Sequence, residues 1–351
     1  MTMERTRIRS EAPAPTPDAR LLQRLHAMGY QAKGLHFTNI RISHEHAQDG
    51  ADAAHMALEV VPDIILVELI GPPQDLAATM NAYVRGEINA MPDDVPTIEF
   101  LHAMLDTLRA QVATGAPAPV LAIADYLEVD QRHIEQYFAA FDAADTLALS
   151  PIEDFDNQAH RLLAAQQNFS LENNIRELVI VDELPNALGH VPEPLTDVLK
   201  TKEQLHIAAP YGMLHGGLSK AFREEGASVG AYVHDDARLS PLQALGFKCD
   251  YGEGTLDDAK RALLGRRIEG FIEGLLARGV FTASDGARLP ALSRKETAQL
   301  TWRAIQKMTQ GEPALSLDDA YAKYFKGWSN ERQLLQEHLL AALKEIREAR
   351  G

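Results

Sequence analysis

The chain has 351 residues and a formal net charge of -16, with 46% hydrophobic and 24% charged residues. This composition is typical of a soluble globular protein that is long enough for one large domain or two ordinary ones. The excess of acidic residues disfavours nucleic acid and anionic membrane surfaces as partners, because both would be repelled.

The cysteine content and the apolar runs bear on the compartment. Cys249 is the only cysteine, which rules out an intrachain disulfide and fits a reducing environment. No apolar run reaches the roughly 18 residues of a membrane span. The opening stretch, MTMERTRIRSEAPAPTPDAR, lacks the apolar segment of a secretory signal, and its Ala and Pro residues predict a flexible arm over residues 1–17. We therefore expect a cytoplasmic protein with no membrane span.

The first elements after the arm predict a β-α-β unit. DARLLQRLHAMGY has helical spacing, and GLHFTNIRI (34–42) reads as a strand. Residues 46–61 have a helical pattern, and PDIILVELI is a continuous apolar run of the kind buried in a parallel sheet. Such a unit places both strands in one sheet with a right-handed crossover.

The middle of the chain predicts a helical insertion around residues 75–166, although PVLAIADYL fits either a strand or a buried helix. Strands are predicted at IRELVIVDEL, QLHIAAPYG and ASVGAYVHD, the last two flanking a helix. From residue 254 the pattern is helical, with a capping box at SRKE and an apolar stripe near the end.

These elements predict an α/β fold with a central, mostly parallel sheet flanked by helices. We expect an α/β domain over residues 18–253 and a helical C-terminal region over 254–351 packed on it. The C-terminal helices offer a surface for homo-oligomers.

Three ligand-type side chains fall where predicted strands end: His44, Glu68 and His215. In parallel sheets, ligands bind beyond the carboxyl ends of the strands, so these side chains could share one rim. Imidazole with carboxylate suits zinc, manganese or iron, and a His–Glu pair could equally perform acid/base chemistry without metal. Alternatively, His44 and His46 are solvated turn residues, and the glycines around His215 shape a tight turn.

The same residues carry a resemblance. The stretch from His44 to Leu69 resembles the first motif of the TraB/PrgY–Tiki family, whose relatives include ChaN-like haem-binding proteins and erythromycin esterases. The matching features are the histidine after a strand, the Pro62-Asp63 pair and the Val67-Glu68-Leu69 triplet. The second motif, a Gly-x-x-His element before a helix, is matched by YGMLHGGL at residues 211–218.

The resemblance implies an EreA/ChaN-like fold and a metal-dependent hydrolase of peptide, amide or ester bonds in a small molecule or peptide. It implies manganese, cobalt or zinc held by three residues that also serve catalysis: His44, Glu68 and His215. Four residues would bind ligand: Arg41, His46, Tyr211 and Gly212.

The chain also departs from the family pattern. Arg41 stands where the family has glycine, and VDELPN (181–186) lacks the arginine of the family's downstream Arg-Asp/Asn element. A bulky cation at Arg41 could narrow the pocket or neutralise Glu68. The alternative is a non-catalytic binding or regulatory protein that holds a small ligand, haem or a peptide in the same pocket.

Overall fold

The computed structural model of the protein describes thirteen parts of the chain: residues 20–42, 47–69, 76–91, 95, 98–124, 131–150, 152–212, 215, 217–233, 239–279, 292–310, 314–326 and 330–348. The elements in chain order are α1 (Arg20–Ala27), β1 (Gly34–Ile42), α2 (Ala47–Glu59), β2 (Ile64–Leu66), α3 (Leu76–Val84), α4 (Glu99–Ala113), β3 (Val120–Ala122), α5 (Gln131–Leu149), α6 (Phe155–Gly189), α7 (Glu193–Lys200), β4 (Gln204–Gly212), α8 (Leu218–Glu224), β5 (Ser228–Val233), α9 (Pro241–Asp250), α10 (Leu256–Ala277), α11 (Arg294–Gln310), α12 (Leu317–Tyr321), a π-helical turn (Ala322–Lys326) and α13 (Asn330–Glu348).

The five strands form one parallel sheet in the order β3-β2-β4-β1-β5. The predicted α/β fold, with a parallel sheet and flanking helices, is confirmed. β4 lies at the centre, so β1 and β2 are not neighbours but both pair with β4. The carboxyl ends of β2, β4 and β1 therefore lie side by side.

Apolar residues cover both faces of this sheet. On one face, α1, α8 and the later turns of α6 pack against the strands, with the ring of Phe37 stacked on that of Phe222 at 3.9 Å between centroids. On the other face, α2, α3 and α4 pack through residues such as Ala54, Met80 and Met104. Burial on both faces explains why β2 and β3 lie in continuous apolar runs.

The chain divides into two compact units. The first, Met1–Gln136 with Glu172–Ala237, contains the sheet; the second, Tyr137–Leu171 with Arg238–Gly351, is helical in its described parts. The segment predicted as a helical insertion, residues 75–166, thus contains β3. In sequence, the helical second unit consists of one segment before β4 and β5 and one segment after them.

Two predicted features of the second unit are confirmed. Ser293 and Glu296 form a capping box, in which each side chain accepts from the other residue's backbone N–H. The apolar stripe of α13 is buried inside this unit through Leu335, Leu339, Leu343 and Ile346. In the described parts of the chain, no helix combines the length and apolarity needed to cross a membrane.

The predicted strand at IRELVIVDEL is wrong, because these residues lie within α6. Their β-branched and apolar composition favours a strand locally. Burial along the segment nevertheless recurs every three to four residues, at Arg176, Glu177, Ile180, Val181 and Leu184. This is the period of a helix, and it places a charged pair and an apolar stripe on one face.

The outer edge of β3 is closed by a side chain. The carboxamide of Asn81, on α3, donates to the carbonyl oxygen of Leu121 at 2.8 Å and accepts from its N–H at 3.0 Å. Both groups of Leu121 point away from β2, since the flanking Val120 N–H and Ala122 carbonyl make the bonds to that strand. Asn81 thus satisfies the backbone that an edge strand otherwise leaves unpaired.

Candidate functional site

Glu68 and His215 come together at the carboxyl end of the sheet. Glu68 lies two residues beyond β2, and His215 lies three residues beyond β4, the neighbouring strand. The Nε2 atom of His215 is 2.9 Å from Oε1 of Glu68. The contact is expected, because the residues that follow neighbouring parallel strands lie at the same edge of the sheet.

A second charged pair reaches the same place from α6. Arg176 donates from Nη2 to Oε1 of Glu68 at 3.1 Å, and its Nη1 lies 3.3 Å from Nε2 of His215. Glu177, the next residue, brings Oε1 to 3.5 Å from Nδ1 of His215. The imidazole therefore has a carboxylate at each ring nitrogen. We call Glu68, Arg176, Glu177 and His215 the charged quartet.

Neutral groups fix the position of His215. Asn39, on the fully buried part of β1, donates to the backbone carbonyl oxygen of His215 at 2.8 Å and contacts Oγ of Ser219 at 3.3 Å. The ring of Tyr211 stands edge-on to the imidazole, with centroids 5.2 Å apart. Because its backbone and ring are both held, His215 has little rotational freedom.

Gly217 allows α6 to approach the loop after β4. A Cβ atom at this position would lie 2.2 Å from Oε2 of Glu177 and 2.4 Å from Oδ1 of Asn174. Both distances are far shorter than any normal contact, so only glycine fits while Glu177 keeps its place. This glycine was predicted only as part of a tight turn; its neighbours show that it makes room for the quartet.

His215 holds a proton at neutral pH. Its burial lowers the pKa, and the Arg176 guanidinium acts in the same direction, but the Glu68 and Glu177 carboxylates outweigh both and raise the pKa to about 9. The quartet then consists of two cations and two anions, which offsets much of the desolvation that each charge alone would suffer.

The other predicted site residues fall in different places. His44 and His46 lie outside the described residues. Arg41 is buried on β1, paired in register with Tyr211 on β4, and Gly212 ends β4 opposite Ile42. The structure therefore brings together Glu68, His215 and Tyr211 from the predicted set.

Sequence reasoning missed Arg176, Glu177 and Asn39. The arginine of the family pattern was sought at residues 181–186, but an Arg-Glu pair stands five residues earlier, on α6. The sequence contains a signal for this pair, because Arg176 and Glu177 stand at helical spacing from Ile180 and Leu184 on the buried face of α6. Reading the segment as a strand concealed this, because in a strand Arg176 and Glu177 point to opposite faces.

In the described part of the predicted metal site, Glu68 and His215 are paired with charged groups of the chain itself. The Arg176 guanidinium lies within 3.3 Å of both Glu68 Oε1 and His215 Nε2, the two atoms that would be ligands. No group of three His, Cys, Asp or Glu side chains with metal-site geometry occurs among the residues that the structure describes.

Access separates the members of the quartet. The Glu68 side chain keeps 17% of its surface exposed, against 2% for Arg176, 4% for His215 and 1% for Glu177. Glu68 is thus the member that a molecule at the rim can reach, whereas the other three are buried.

Comparison with known proteins gave no match to a protein-family model, to a curated protein or to a solved structure.

Proposed function

We propose that the protein is a hydrolase of ester, amide or peptide bonds in a small molecule or peptide, with Glu68 as the general base. The observation that carries this proposal is the position of Glu68: a partly exposed carboxylate at the rim of a parallel sheet, held by two buried cations. Ligand sites in such sheets lie at this rim. The resemblance to the TraB/PrgY–Tiki family and erythromycin esterases supports the same reaction class.

The reaction balances with one water molecule. Glu68 takes a proton from water as the water oxygen forms a bond to the substrate carbonyl carbon. The tetrahedral intermediate then breaks its bond to the leaving alcohol or amine, which receives the proton from Glu68. The carboxylate is regenerated, and the other product is a carboxylic acid.

Arg176 and His215 act as positioning residues for Glu68. Both contact Oε1, so they fix the position of the carboxylate at the rim. Asn39 and Glu177 support His215 in turn. General-base catalysis by a well-placed group contributes about 10²–10⁴ in rate.

The proposal is tested with a panel of chromogenic esters, arylamides and mixed peptides, followed by replacement of the base. Glu68→Gln keeps the shape of the side chain and its acceptor oxygen but cannot take a proton. We expect it to lower kcat on the best substrate by at least about 100-fold with a smaller change in KM.

Glu203→Gln is the matched control, because Glu203 precedes β4 at the opposite end of the strands and forms an exposed pair with Lys33. Its kcat should equal that of the parent. Turnover that survives Glu68→Gln unchanged, or a protein that turns over none of the panel, would count against the hydrolase.

Metal-assisted hydrolysis, the form that the family resemblance implies, stays a prediction about His44 together with Glu68 and His215. Elemental analysis and reconstitution with manganese, cobalt and zinc test it. The contacts of Arg176 favour the metal-independent form, because a guanidinium already balances Glu68. We expect activity to persist after exhaustive chelation.

A binding protein is the second candidate. The pairing of Glu68 with Arg176 and protonated His215 favours it. Oε1 of Glu68 already has two hydrogen-bond partners, and such an arrangement stabilises a binding pocket without any need for catalysis. Such a protein would bind a small ligand, haem or a peptide without turnover. Haem titration and a ligand screen by thermal shift would then give hits, whereas the substrate panel would give no product.

Homo-oligomers remain a prediction for the C-terminal region. The apolar stripe of α13 is buried within the second unit, so self-association would have to use another surface. Light scattering at several protein concentrations measures the oligomeric state directly.

A further inference from the structure

A second polar cluster lies at the opposite end of the strands from the charged quartet. His36 on β1 pairs in register with His206 on β4 and with Ser228 on β5. Neighbouring strands run about 4.8 Å apart, so the two imidazoles lie side by side, with ring centroids 4.4 Å apart. Thr38 and Gly230 complete the cluster on the same face. Both histidines are half-buried, and Thr38 is buried.

Both histidines point the same ring atom at one place. Nε2 of His206 is 3.0 Å from Oγ1 of Thr38, and Nε2 of His36 is 3.4 Å from the same oxygen. Two imidazole nitrogens that bind one zinc-sized ion stand about 3.3 Å apart, given metal–nitrogen bonds of about 2.0–2.1 Å. The two Nε2 atoms share one neighbouring oxygen, as the ligands of a single ion lie around one point.

Ser228 lies beside the other nitrogen of the His36 ring. Its hydroxyl is 2.7 Å from Nδ1 of His36 and 3.3 Å from the carbonyl oxygen of Leu35. In one tautomer of the ring, Nδ1–H donates to this hydroxyl, which in turn donates to Leu35. In the neutral ring Nε2 is then unprotonated and available. Metal-binding histidines usually have this arrangement, in which the other ring N–H is held by an outer acceptor.

We propose that His36 and His206 form a two-imidazole site for a divalent transition-metal ion, separate from the charged quartet. Burial lowers the pKa of His36, and burial together with His36 lowers the pKa of His206 to about 4. The lowered pKa values favour the neutral rings, which is the form that binds a metal ion. Asp63, whose Oδ2 accepts from the backbone N–H of His206, lies beside the site and is paired with Lys202 at 3.0 Å. Water fills the remaining coordination positions.

The ligand set selects the metal. Imidazole suits Cu²⁺, Ni²⁺ and Zn²⁺, whereas Mg²⁺ and Ca²⁺ require oxygen ligands. At an unconstrained nitrogen site Cu²⁺ binds more tightly than Ni²⁺ or Zn²⁺. The site is thus expected to take Cu²⁺ first, then Ni²⁺ or Zn²⁺, and to ignore Mg²⁺.

Calorimetric titration of the full chain, prepared without a histidine tag, with chlorides of Cu²⁺, Ni²⁺, Zn²⁺ and Mg²⁺ tests the site. His36→Asn and His206→Asn should each weaken Cu²⁺ binding at least about 10-fold. Electron paramagnetic resonance of the Cu²⁺ form should show two nitrogen ligands in the parent and one in each variant. His160→Asn, which replaces an exposed histidine of the second unit, should change neither result.

A variant that keeps both histidines guards against an effect of misfolding. A Cβ at Gly230 would lie 3.6 Å from Thr38 Oγ1 and 3.7 Å from His36 Nε2, which is ordinary contact. Gly230→Ala should therefore fold normally, with an unchanged melting temperature, yet cover His36 Nε2 and weaken Cu²⁺ binding. Gly34→Ala, whose Cβ would meet nothing within 4 Å, is its control.

Parent-like Cu²⁺ affinity in both asparagine variants would overturn the proposal. So would binding that disappears only in Glu68→Gln, since that result would place the ion at the rim instead.

Discussion

His215 is the residue on which the candidate site depends, because its charge is maintained by two carboxylates from distant parts of the chain. Glu68 follows β2 and Glu177 lies on α6, and each faces one nitrogen of the ring. Removing the imidazole would leave both carboxylates without this partner in a largely buried place. A buried charge that loses its partner costs about 3–5 kcal/mol.

The raised pKa of His215 predicts a loss of stability on the alkaline side. The folded pKa of about 9 exceeds the ordinary value of 6.5, so the folded state holds the proton more tightly than the unfolded state. The resulting stabilisation is fully present below pH 6.5 and is lost as the pH rises through about 9. Melting temperatures between about pH 6 and pH 10 should show this decline in the parent.

His215→Gln should melt at a lower temperature than the parent at pH 6.5, and the difference should shrink towards pH 9. His160→Gln, at an exposed position, should follow the parent curve. Parallel curves for the parent and His215→Gln would contradict a charged His215.

Val61 is a second residue with a consequence for stability. It has a φ of 49°, and its side chain is 62% exposed. A β-branched residue in the left-handed region is strained by roughly 1–2 kcal/mol, and little burial compensates for the strain here. Val61→Gly should therefore raise the unfolding free energy by about 0.5–1 kcal/mol after the entropy cost of glycine.

Urea denaturation measures this gain. Val198→Gly is the matched control, since Val198 is 59% exposed but lies inside α7, where glycine lowers helix stability. Opposite signs are expected for the two variants. A loss of stability in both would show that Val61 is not strained.

At the scale of elements, the sequence predicts what depends on local pattern and on the rules of parallel sheets. The strands β1, β2, β4 and β5 lie in segments that the sequence predicts as strands, and the rim rule brings Glu68 to His215 across two neighbouring strands. The side chains behind them could not be located in this way. α6 reads as a strand by composition, and the contact of Arg176 with Glu68 joins positions that are 108 residues apart.

Asn81 gives an element-scale prediction, because its carboxamide completes the hydrogen bonding of β3. Asn81→Ala would leave the N–H and carbonyl of Leu121 without this partner in a buried place. Each buried polar group that loses its partner costs about 1–3 kcal/mol. We expect the unfolding free energy to fall by about 2–4 kcal/mol, measured by urea denaturation.

Asn186→Ala provides the comparison, since the amide of Asn186 is bonded to the Glu183 side chain on the same helix. Its effect should stay below about 1 kcal/mol. Equal effects of the two substitutions would show that Asn81 does not stabilise the edge of the sheet.

For the whole molecule, the excess of acidic residues controls colloidal behaviour. The net charge of -16 makes copies of the chain repel one another at neutral pH. The isoelectric point of about 5.2 predicts a solubility minimum near that pH, because repulsion between copies then vanishes. Precipitation by polyethylene glycol, followed from about pH 8 down to pH 4.5, measures this minimum. Solubility that stays constant across the range would contradict it.

The strand order has a consequence for biosynthesis. β4 lies between β1 and β2 but is made long after both, since Gly34 pairs with Gln204. At about 5–20 residues per second, the ribosome needs roughly 10 seconds or more to cover that distance. During this interval the nascent chain carries two strands without their shared neighbour, and such unpaired edges recruit other chains. β1 and β2 are joined only when β4 emerges, so both strands stay exposed to other chains while nearly half of the 351 residues are made.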